Sequence, residues 1–184
     1  MSNITKRAMA QSLKKMLLVK DLDKITIIDI TNDCGINRQT FYYHFKDIYD
    51  LLEWIFANEV VEKIEKETTI ETWQENFKYV LDYMLKNKKF IIKTYNSLSR
   101  KTLLDFLFNQ YNTIFIEIVN DLSKNYNITK ENKIFIANFY KYGFAGIIEN
   151  WIITEMKESP ESIIKKLNVM ISGSFEEAVK KMSN

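Results

Sequence analysis

The chain has 184 residues, 46% of them apolar and 14% aromatic, with a net charge of only +2 from 26 basic and 24 acidic residues. One Pro and four Gly argue for long helices and against a strand-rich or loop-rich fold. A single Cys excludes an internal disulfide framework and fits a reducing cytoplasm, and no apolar run is long enough to span a membrane or form a signal peptide.

The first predicted helix covers about residues 5–20, with Met9, Leu13, Met16 and Leu17 as its inner stripe. Lys6 and Arg7 at its start either reach a phosphate or are ordinary solvated charge. A second helix starts after Thr26, where Asp29 completes a capping pattern. Ile27, Ile30, Cys34 and Ile36 face inward. Gly35 supplies the positive φ that ends this helix, and Asn37 caps the next. In that third helix Phe41 and Phe45, spaced i, i+4, face the core. Arg38, Gln39, Thr40, Tyr42, Tyr43, His44 and Lys46 are left on the outer face, and each can donate a hydrogen bond to a phosphate or a base edge. Two helices around a tight turn, the second rich in donors, form a helix-turn-helix built for a DNA groove. Charge agrees: residues 1–46 hold eight basic against four acidic side chains, a local excess of +4, while the rest carries −2.

A fourth helix starts at Asp47, with Asp50 as its capping partner, and runs to about Lys66. Leu51 and Ile55 form one apolar face, Leu52, Phe56 and Val60 another. Such a helix can link two domains, here 1–47 (helix-turn-helix) and 48–184 (regulation and dimerisation). From Ile70 on every pattern is helical. Ile70, Trp73, Phe77, Val80, Leu81 and Met84 form one stripe; Phe90, Ile91, Tyr95 and Leu98 a shorter one; Leu104, Leu107, Phe108, Tyr111, Phe115, Ile118 and Leu122 a long one. Thr129 caps a helix to about Lys157 that is apolar nearly all round. Ser159-Pro160-Glu161 starts a last helix carrying Ile164, Leu167, Met170, Ile171, Phe175 and Ala178. The fold class is all-α.

A helix apolar all round is buried on two sides. Gly143 and Gly146 open a shallow groove in it where another backbone can approach. The helix from 130 and the last one are therefore either half of a four-helix dimer seam, with Phe139, Gly143, Gly146, Ile147, Trp151, Met170 and Phe175 at the interface, or simply central to their own subunit. Tyr83, Tyr95, Tyr111, Phe115 and Tyr142 combine aromatic bodies with mostly polar tips and suit a mixed ligand pocket; at helical spacing they equally suit plain core. With one His, one Cys and none of the phosphate-loop, nucleophile-elbow or zinc-helix motifs, no catalytic residue, metal ligand or cofactor is expected.

Thr26, Ile27, Ile30, Gly35, Ile36, Thr40, Phe41, Tyr42, His44, Phe45 and Leu51 fill a pattern that resembles the N-terminal domain of the TetR family of bacterial transcription regulators. Ile48 departs from it, standing where the family usually has a phosphate-touching lysine. Residues 139–151, with 156–161, resemble the C-terminal domain of a subgroup described as regulators of dihydroxyacetone kinase operons. The resemblance implies a cytoplasmic homodimer, paired through its last two helices, that binds double-stranded DNA as an inverted repeat and answers to a small-molecule effector or a protein partner. It implies phosphate contacts from Thr40 and Tyr42, assisted by Thr26 and Lys46, and base-edge contacts from Arg38, Gln39 and Tyr43. The rival expectations are a coactivator of the same fold controlled only by a protein partner, and an enzyme on a helical scaffold, for which the sequence shows no paired acids.

Overall fold

The computed structural model describes residues 2–60, 69, 72–97 and 100–183. Among them lie ten α-helices and no strand: α1 (Ser2–Leu17), α2 (Ile27–Cys34), α3 (Arg38–His44), α4 (Ile48–Glu59), α5 (Trp73–Lys86), α6 (Lys88–Tyr95), α7 (Arg100–Leu122), α8 (Lys130–Ile153), α9 (Pro160–Ile171) and α10 (Ser174–Lys181). A 3-10 turn, Leu22–Lys24, precedes α2. The expected stretch of helix between 61 and 66, and the stripe positions Ile70 and Leu98, lie outside the described residues.

The chain forms two compact units, and they do not divide at residue 47. One contains Met1–Lys63 together with Asn87–Phe106; the other contains Ile64–Lys86 and Leu107–Asn184. The first unit is built on Met9, Leu13 and Leu17 of α1, Ile30 of α2, Phe41 of α3, and Leu51, Leu52, Ile55 and Phe56 of α4, all buried. Ile27, Cys34 and Ile36 are only partly covered. Both apolar faces of α4 are used inside this unit. The Phe56 ring lies 5.6 Å from Phe90 of α6 and 5.1 Å from Phe106 of α7. Lys14 of α1 reaches Glu59 of α4 at 2.6 Å and sits 5.5 Å over the Phe90 ring. Lys93 of α6 reaches Asp21 at 3.0 Å.

The second unit is packed on aromatic rings. Trp73 and Phe77 of α5, Tyr111 and Phe115 of α7, and Phe144 of α8 meet edge to face or tilted at centroid distances from 4.8 to 6.4 Å, the arrangement the ring quadrupole favours. α9 packs on α5, where Gln74 donates to Asn168 at 2.8 Å and Lys78 pairs with Glu161 at 2.8 Å.

Two helix ends in the second unit differ from the expected ones. α8 stops at Ile153 rather than near Lys157, because Glu155 (φ 56°) and Met156 (φ 50°) turn left-handed, with Met156 N donating to Trp151 O at 2.7 Å. No glycine marks this stop; the buried Met156 side chain holds it. The last helix is two helices, broken at Ser172-Gly173 where Gly173 has φ 75°. That break lets Phe175 turn into the core.

Candidate nucleic-acid interface

The turn between α2 and α3 is fixed by its own hydrogen bonds. Thr26 and Asp29 form a reciprocal capping box: Asp29 N donates to Thr26 Oγ1 at 3.2 Å and Thr26 N donates to Asp29 Oδ2 at 2.8 Å. Lys20 also donates to Asp29 Oδ2, at 2.8 Å. That contact first, then the bonds from Thr26, hold the Asp29 carboxyl down to about 2. Gly35 takes φ 64°, ψ 32° and Ile36 N closes the helix end on Thr31 O at 3.0 Å. Asn37 Oδ1 then accepts from Thr40 N at 2.8 Å and from the Thr40 hydroxyl at 3.0 Å. The Thr40 hydroxyl proton is therefore committed to the cap, and this side chain presents lone pairs, not a donor, to its surroundings.

Phe41 and Phe45 are buried, which turns the opposite side of α3 outward. Arg38, Gln39, Tyr42, Tyr43 and Lys46 are exposed, Tyr43 at 82%. His44 is half-buried, its ring 4.9 Å from that of Tyr43. Arg38 Nη2 donates to Tyr42 Oη at 3.3 Å, an i, i+4 pair that sequence spacing could have signalled.

Electrostatics sharpen the picture. Lys14, Lys15, Lys20 and Lys24 are neutralised within the unit by Glu59, Asp33, Asp29 and Asp21. Lys6, Arg7, Arg38 and Lys46 make no ion pair among the described residues. Lys6 instead sits 5.5 Å over the Phe45 ring and 6.0 Å from that of Trp54, beside the end of α3. Four of the cations without an ion pair thus stand at the start of α1 and on or just beyond α3. Cys34 is half-buried, and burial pushes its thiol up, away from reactivity.

Of the expected pocket residues, Tyr111 and Phe115 meet around a cavity of about 20 Å³, room for roughly one water, with Trp73, Asn76, Phe77, Val80, Ile114 and Phe144. Tyr111 Oη is buried there without a partner among the described residues, and burial pushes its pKa up. Tyr83 and Tyr142 do not line this cavity, and Tyr95 belongs to the other unit. Of the expected seam residues, Phe139 and Met170 are 69% and 74% exposed, Gly143, Gly146 and Ile147 are exposed, and a Cβ at either glycine would meet nothing within 4 Å. Trp151 and Phe175 differ from these five. Both are buried in their own subunit, Trp151 donating to Glu158 O at 2.8 Å and Phe175 stacked on Tyr140, so neither lies on an outer face. Phe135, Tyr142 and Ile153, exposed on α8, continue that face instead.

An all-α chain with this helix-turn-helix and this residual charge is a DNA-binding regulator in its architecture. Residues 71–173, more than half of the chain, match the TetR_C_8 family model, described as a transcriptional regulator C-terminal region. The chain belongs to the TetR family and is a transcriptional regulator of that type. It is 27% identical over 154 residues, 83% of its length and 81% of the relative's, to the HTH-type dhaKLM operon transcriptional activator DhaS of Lactococcus lactis subsp. lactis (strain IL1403). Among solved structures it is similar to a dihydroxyacetone kinase operon activator DhaS, with a TM-score of 0.71 and 24% identity over 98% of this chain and 99% of that one. It also resembles NalD, the secondary repressor of the MexAB-OprM multidrug efflux pump in Pseudomonas aeruginosa, with a TM-score of 0.51 and 13% identity over 93% and 96%. No described helix is long and apolar enough to cross a membrane, and no cluster of metal-ligating side chains occurs among the described residues.

Proposed function

We propose that the protein binds an inverted-repeat operator as a homodimer in the cytoplasm, each subunit laying α3 in the major groove, and that it works without a cofactor or catalytic activity. The observation that carries this reading is the charge left unpaired at Lys6, Arg7, Arg38 and Lys46, around the exposed donors of α3. Tyr42 and Lys46 hold the DNA backbone, with the Thr26 hydroxyl assisting; Gln39 and Tyr43 reach base edges. The exposed face of α8, with Met170 and Val169 of α9, pairs with its symmetry mate. A two-fold dimer then sets two half-sites one turn apart, about 34–36 Å.

Control by a protein partner is the reading we favour over a small-molecule effector. Its support is that the expected effector residues do not come together: Tyr111 and Phe115 line one small cavity, Tyr83 and Tyr142 do not line it, and Tyr95 belongs to the other unit. The Lactococcus lactis relative is named as an activator of the dhaKLM operon, and an operon of that kind is the target we would try first. Sequencing the DNA that the purified protein retains from a genomic library tests the reading directly. Enrichment of an inverted repeat is the expected result; retention without any shared sequence would overturn it.

A further inference from the structure

Arg38 opens α3 and Tyr42 stands one turn further on. The two side chains converge: Arg38 Nη2 lies 3.3 Å from Tyr42 Oη, and the guanidinium carbon lies 5.9 Å from the Tyr42 ring centre. Both are exposed, and Arg38 makes no ion pair among the described residues. The geometry points to a single phosphate clamp, in which Arg38 and Tyr42 together grip one backbone phosphate, so that Arg38 does not read a base and sequence discrimination on α3 falls to Gln39 and Tyr43. The inference rests on α3 being the helix that meets DNA.

Three physical points carry it. A tyrosine hydroxyl has one proton. Accepting from Arg38 occupies a lone pair, leaves that proton to donate outward, and polarises it toward an anion. Reading guanine needs two parallel N–H groups of the guanidinium held in one plane at O6 and N7. Here one of the terminal nitrogens is already turned back to Tyr42, while the remaining donors can still reach a phosphate, whose oxygens accept from many directions. Finally, position along the helix separates the pairs. Arg38 and Tyr42 share one edge of α3. Gln39 and Tyr43, also four apart, lie about 100° further round, and neither side chain makes a hydrogen bond among the described residues.

The test uses the full-length protein and a DNA site selected from a random-sequence library. Binding is measured to that site and to each of its single-base variants, at several salt concentrations. Arg38→Ala should weaken binding about tenfold to every variant alike, leave the order of preference unchanged, and lower the log–log salt slope by about one. Arg38→Ala with Tyr42→Phe should lose less than the product of the two single losses, because both act on one phosphate. Arg38→Lys should keep the salt slope and lose the coupling to Tyr42, since it retains the charge without the fork. Gln39→Ala should flatten the preference at one base position. Flattened preference at a guanine in Arg38→Ala, with the salt slope intact, would overturn the clamp and leave α3 as the reading helix. Independent, multiplying losses from Arg38 and Tyr42 would also overturn it. Failure of the wild-type protein to enrich any sequence would overturn the reading of α3 and the clamp with it.

Discussion

Tyr140 of α8 and Phe175 of α10 stack face to face, their ring centres 3.5 Å apart and their planes 18° from parallel. The Tyr140 hydroxyl donates to Ser174 Oγ at 2.8 Å, and Ser174 in turn donates to Ile171 O at 3.0 Å. This pair fastens the short α10 to the aromatic core. Phe175→Ala removes a fully buried ring and should cost about 3–5 kcal/mol in denaturant unfolding at fixed protein concentration. A loss below about 1 kcal/mol would mean that α10 is held by something else.

Gly146 has open space where a side chain would project. Gly146→Leu should therefore leave the fold of one subunit intact and act on what covers α8. If that is a second copy, overpacking of about 1–3 kcal/mol is imposed by each subunit across the two-fold axis. Sedimentation should show monomer, circular dichroism should stay helical, and operator affinity should collapse with the loss of the second half-site. A variant that remains dimeric with full affinity would move the seam off this face.

Glu155 is exposed and left-handed, at φ 56°. An L-residue there pays a steric cost that glycine escapes, while glycine adds some unfolded-state freedom. Glu155→Gly should stabilise the protein by about 0.5–1 kcal/mol in thermal melts. A loss would show that the αL turn after α8 is relaxed with a side chain in place.

Asp29 gives an acid-range prediction. Its carboxyl lies at about 2 in the fold against an ordinary 3.8, through Lys20 and the Thr26 capping bonds. A depressed carboxylate adds stability above its unfolded value, and that increment disappears as pH falls through the folded value. The gap in stability between wild type and Asp29→Asn should be constant above about pH 5 and close as pH falls from about 4 to 2. A gap that persists unchanged at pH 2 would contradict the capping box.

Local chemistry made the helix-turn-helix readable. Thr26, Gly35 and Asn37 are each the residue type their backbone position requires, and each takes the role that spacing implies. The stop at Glu155 and Met156 carries no such residue; it is set by burial of Met156, a tertiary effect. Gly173 was visible, but a continuous apolar stripe from Ile164 to Ala178 masked it as a helix break. Phe175 and Trp151 looked like surface partners because periodicity reports an apolar face without saying what covers it. The Thr40 hydroxyl looked like a phosphate donor because residue type alone does not reveal that Asn37 has already taken its proton. Unit membership was the least legible feature. Phe90 and Phe106 reach Phe56 across long sequence separations that no local pattern encodes.

That return of the chain has a consequence for biosynthesis. The helix-turn-helix and α4 leave the ribosome first, yet Phe56 has no ring partner until Phe90 has been made and lacks the second until Phe106. At about 5–20 residues per second, the stretch from Val60 to Phe106 takes roughly two to nine seconds to synthesise. Through that interval a hydrophobic face of the nascent reading head waits uncovered, open to chaperones and to its neighbours on the polysome. The part of the protein that is translated first is sealed only once the chain has come back to it with Phe90 and Phe106.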